Sequence, residues 1–140
     1  MEFSVLGVTV LLPLLWVLMA AFDVQRGLYG VSAAAREATR AFTLQESVGA
    51  GQAEAQRVAE LALEDQGIDL SLTTIPAIRC ADAKGRESQA HCLQPNSSAS
   101  IKVTYKVEIP FWPDMFGVKP NLPVSSEHTT PYGQYRTGAG

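Results

Sequence analysis

Charged side chains are missing from one long stretch at the start of the chain. From Phe3 to Phe22 every residue is uncharged, with Glu2 before the run and Asp23 after it. Twenty residues at about 1.5 Å each make a helix of about 30 Å, the thickness of a bilayer's hydrocarbon core. Leucine, valine, tryptophan and phenylalanine occur all round that helix, whereas the core helix of a soluble domain keeps its apolar residues to one stripe. The pattern predicts a transmembrane segment over residues 1–23, crossing lipid with residues 3–22 and kinked at Pro13. The rival is a cleavable signal peptide, which wants a basic n-region and a shorter apolar run. Met1-Glu2 offers no basic residue, although Met19-Ala20-Ala21 could be cut.

Beyond Asp23 the period becomes helical and amphipathic. Val24, Leu28, Val31, Ala35, Ala38 and Phe42 recur close to every 3.6 residues, and no proline occurs before Gln66. Alanine is dense, with glutamine, glutamate and arginine filling much of the rest. A second stripe of Ala55, Val58 and Ala62 runs towards Gly67, which suits the left-handed position after a helix. The helix is therefore expected to continue over 24–66, with a bend at Gly49-Ala50-Gly51. From Gly67 the period drops to two. Ile68, Leu70, Leu72 and Thr74 predict one strand, Ile101 to Ile109 a second, and Leu122 to His128 a third. One apolar face across about three strands suits an antiparallel sheet covered by the amphipathic part of the helix. The fold class is α+β, with a long N-terminal transmembrane and amphipathic helix packed on a small antiparallel β domain over 67–140.

Composition adds little catalytic chemistry. No nucleophile elbow, zinc-protease helix motif or phosphate-cradling glycine loop is present. A net charge of −3 and a pI near 5.3 give no basic stripe for nucleic acid. The expectation is a protein that is not an enzyme, with no catalytic residues, cofactor, metal or nucleic-acid partner. Cys80 and Cys92 flank a polar loop and read as a disulfide. Free thiols, or a metal bound by Cys80, His91, Cys92 and His128, are the alternatives, though that spacing is not that of a zinc finger or ribbon. Gly30, Ala34 and Ala38 recur every four residues, a spacing that lets another helix approach closely or that merely reflects alanine-rich composition. Phe111, Trp112, Met115 and Phe116 sit among three prolines, either tucked over the core or exposed as an interface.

These segments resemble a known family. Glu2-Phe3, then PLLWVLMAAFDVQRGLY leading into SAAAREATRAF, and later SIKVTYKVEIPFWPDMFG with a terminal PYGQYR, are similar to TadE/TadG-like proteins. Those are minor pilins, or pseudopilins, of bacterial tight-adherence (Flp-type) pili. The resemblance implies a pilin-like fold, no catalysis, and a hetero-oligomer with other pilins and pilus assembly proteins. It also implies an assembly role for Glu2, whose carboxylate would pair with a neighbouring subunit's amine; pilin precursors carry a basic leader, so either one lies upstream of Met1 or the protein is not processed. Topology pulls two ways. Arg26, Arg36 and Arg40 follow the span and favour a cytoplasmic C-terminal domain, whereas the cysteine pair and the resemblance favour a single-pass protein with that domain outside. The second functional reading is a single-span anchored sensor or ligand-binding module whose sheet and aromatic loop bind an extracellular ligand.

Overall fold

The alanine-rich stretch after the span forms two helices rather than one. The structure, a computed structural model, describes residues 2–109 and 120–133, with side chains from Val5 onward. Helix α1 runs unbroken from Glu2 to Thr43 through Pro13, and α2 runs from Val48 to Asp65. The expected bend at 49–51 falls instead at residues 44–47, and it is a reversal of direction. Ser47 takes an extended conformation and its hydroxyl accepts from the Ala50 N–H at 3.3 Å, which starts α2. Gly51 does not break the helix. A Cβ there would stand 2.8 Å from the ring of Phe42, so the glycine lets the end of α1 lie against the start of α2.

At the far end of α2, Gly67 adopts φ +65° as its sequence position predicts. The Gly67 N–H donates to the Glu64 carbonyl at 2.8 Å and the Ile68 N–H to the Leu63 carbonyl at 3.0 Å. That pair of bonds is a Schellman cap, with Leu63 and Ile68 both buried as its hydrophobic contact. Ile68 in turn lies on Gly30, so α2 returns antiparallel along α1. The buried stripe of α2 is Gly51, Ala55, Ala59 and Leu63, one step round from the Ala55, Val58 and Ala62 stripe expected.

Four antiparallel strands follow. They are β1 (Thr73–Thr74), β2 (Arg79–Ala81), β3 (Ser98–Glu108) and β4 (Asn121–Pro131). β4 pairs with β3 along its whole length, from Ser98↔Pro131 to Glu108↔Asn121. The short β1 and β2 share the other edge of β3, at Tyr105 and Thr104 and at Ser100 to Ser98. The sheet is thus three strand positions wide, with the first split in two. The alternation over Ile68–Thr74 yields only two strand residues. The Asp69 carboxylate accepts from the Ser71 N–H at 2.8 Å and winds Leu70–Leu72 into a 3₁₀ turn.

Helix α1 lies on one face of this sheet, and α2 packs against α1. Gly27 abuts Tyr105 and Val107 of β3, and the Thr130 hydroxyl of β4 donates to the Thr39 hydroxyl at 3.0 Å. Between those points Val31, Ala34, Ala35 and Ala38 are fully buried, with Ala99, Ile101 and Val103 among their core partners. The opposite face carries exposed Lys102, Lys106, Arg79 and Glu127, as a one-sided antiparallel sheet requires.

Candidate membrane and assembly surface

The two halves of α1 meet opposite fates. Val5, Leu6, Val8, Val10, Leu11, Leu12, Leu14, Leu15, Val17, Leu18, Met19 and Phe22 are 47–68% exposed, whereas Val31, Ala34, Ala35, Ala38 and Phe42 are 0% exposed. A helix that keeps only its second half in the fold leaves about 30 Å of apolar cylinder without protein around it. Among the described residues this is the one helix long and apolar enough to cross a membrane. Glu2 is its first residue, with its side chain outside those described.

The strip Gly30, Ala34 and Ala38 does make a close approach, but within its own chain. All three are buried, and Gly30 lies directly under Ile68 just past the end of α2. Another subunit's helix cannot reach them while this fold is intact. The physical reason is the reversal at 44–47, which brings the chain's own α2 onto the face that small residues had left open.

Cys80 and Cys92 form a disulfide with Cα atoms 5.1 Å apart, within the usual span for such a bond. Cys80 lies inside β2, and Cys92 closes the 3₁₀ turn Gln89–His91. The polar loop between them is organised by Asp82. Its carboxylate accepts from the Arg86 N–H at 2.8 Å and the Lys84 N–H at 2.9 Å, and it pairs with the Arg86 guanidinium at 2.7 Å. The Arg86 backbone N–H foremost, then the Arg86 side chain and the Lys84 N–H, lower its pKa from the ordinary 3.8 to about 2. Among the described residues no three histidine, cysteine or acidic side chains gather as metal ligands.

One anchoring residue gave no signal in the sequence. The Gln52 amide on α2 donates to the Ile78 carbonyl and accepts from the Ile78 N–H, both at 2.9 Å, and Gln89 donates to the same carbonyl at 3.1 Å. It replaces a strand's pairing for the segment between β1 and β2. A glutamine on an exposed-looking helix face carries no mark of such a partner 26 positions away.

Where α1 leaves the fold, an open apolar groove of about 390 Å³ lies between the helix and the end of the sheet. Ala20, Ala21, Val24 and Gln25 form one wall, and Val107, Glu108, Ile109 and Leu122 the other. The aromatic cluster Phe111, Trp112, Met115 and Phe116 lies outside the described residues, in the connection that leaves at Ile109 and returns at Pro120. Compared with models of known protein families, with curated proteins and with solved structures, the chain finds no match.

Proposed function

We propose that this protein is a membrane-anchored, pilin-like structural or assembly component of a tight-adherence type pilus. The observation that carries the reading is the division of α1, whose exposed apolar half runs without interruption into a buried half under a small antiparallel sheet. A rigid helix shared by two environments transmits position from the membrane to the head, which an assembly component needs and a flexibly tethered domain lacks. Because Gly30, Ala34 and Ala38 are used internally, packing against other pilins falls to residues 5–22, where Gly7 has open space around it. The disulfide supports an oxidising, extracytoplasmic address for the head.

The test is co-purification with pilus components of wild type and of Glu2→Ala, at equal abundance in the membrane. Wild type is expected to recover other pilins and Glu2→Ala to recover fewer, since a carboxylate near lipid is retained where a cationic partner offsets its cost. Recovery of no pilins by wild type overturns the pilus reading. Equal recovery by both removes the role of Glu2.

A further inference from the structure

We infer that the head has a second membrane contact: the groove rim formed by Ala21, Val24, Ile109 and Leu122 rests in the headgroup and outer acyl region of the bilayer. The inference rests on α1 being a membrane span. Ala20 and Ala21 belong to the uncharged run that ends at Phe22, yet they already face Val107, Ile109 and Leu122 of the sheet. The sheet therefore reaches down to the level where the span ends, with no stalk between them. Asp23, the first charge after the run, is one turn from Ala20, about 5 Å along the helix axis.

The chemistry of the rim matches that depth. The groove's surface is mainly apolar, and Leu122 is 47% exposed although it pairs with buried Val107. In water this would be an uncovered apolar edge on a small head. Its helix wall is continuous with the exposed surface of Leu18, Met19 and Phe22, so whatever covers those residues extends onto the rim. Lipid is the occupant that continuity selects. Glu108 and Gln25 supply the polar groups, and an interfacial element buries its apolar side only about 5–10 Å into the boundary. A contact here, in addition to the span, fixes the tilt of the head relative to the membrane.

The experiment uses the full chain in phosphatidylcholine vesicles with acyl chains brominated either near the headgroup or near the terminal methyl. The chain has two tryptophans, Trp16 in the span and Trp112. Leu122→Trp combined with Trp16→Phe and Trp112→Phe leaves one indole at the rim. Its emission should fall in brominated vesicles, more with shallow than with deep bromines. Ile109→Trp in the same background should behave alike, which guards against one variant misfolding. Trp112→Phe alone leaves Trp16 as a reporter of the span. If Trp16 is quenched while the indoles at 109 and 122 keep their full emission, the rim contact is wrong and the anchor stands. If Trp16 also keeps full emission, the membrane reading itself fails.

Discussion

Gln52 makes two hydrogen bonds to the backbone of one residue, so its deletion leaves the N–H of buried Ile78 without that partner. Gln52→Ala should destabilise the head by about 1–2 kcal/mol, read by chemical denaturation of detergent-solubilised protein. Gln52→Glu should retain part of that loss, because a carboxylate still accepts from the Ile78 N–H and no longer donates to its carbonyl. Ala34 has no exposed surface, and a larger side chain there enters a filled core. Ala34→Leu should cost about 1–3 kcal/mol of folding stability, visible as a lower unfolding midpoint in the isolated chain. An unchanged midpoint would mean that the α1–α2 packing described here is wrong. The small residues were legible in the sequence as a surface for close approach. Which helix would approach was not, since spacing reports the size of a face and not the identity of what covers it.

Element by element, the sequence was most informative where one period ran long. The apolar alternation from Ile101 to Val107 lies in β3, and the uncharged run lies in the exposed half of α1. It was least informative where a short-range bond overrides a pattern. Asp69 turns an alternating stretch into a 3₁₀ turn, and Ser47 starts a helix two residues ahead of the glycines that read as a bend. β2 has three residues, too few for periodicity, and is held by its pairing with β3 and by the disulfide. Replacing Cys80 and Cys92 together by alanine should cost about 3 kcal/mol if the bridge acts by restricting the unfolded chain. A loss confined to well under that value in equilibrium unfolding would place the bridge's effect in local order only. The Asp82 turn makes a separate prediction. Its carboxyl has a folded pKa below the unfolded one, so the turn's contribution is complete above about pH 4 and is lost as pH falls through about 2. The carboxyl carbon of Asp82 should titrate with a midpoint near 2 by NMR, and Asp82→Asn should abolish that titration. A midpoint at the ordinary value of 3.8 would show that Arg86 and Lys84 do not hold the carboxylate in solution.

The whole molecule separates its membrane work from its folding work along one helix. The core comprises residues from Val31 to Tyr132, and every large apolar residue from Val5 to Met19 that the structure describes is exposed, apart from half-buried Trp16. The span therefore contributes little to the stability of the head, and the head does not shield the span. A chain beginning at Asp23 should keep the α1–α2 reversal, the sheet and the disulfide, because the buried core that joins them starts at Val31. It should fold with an unfolding midpoint close to that of the solubilised full chain, and it should no longer partition into vesicles. Loss of the Ala20 and Ala21 wall leaves Val107, Ile109 and Leu122 more open, so this shortened head should self-associate more than its Leu122→Ser variant. Sedimentation velocity of the two, over a range of concentration, checks the point. Collapse of the fold without residues 1–22 would mean that the exposed half of α1 stabilises the head through contacts absent here, and the division of labour along α1 would have to be abandoned.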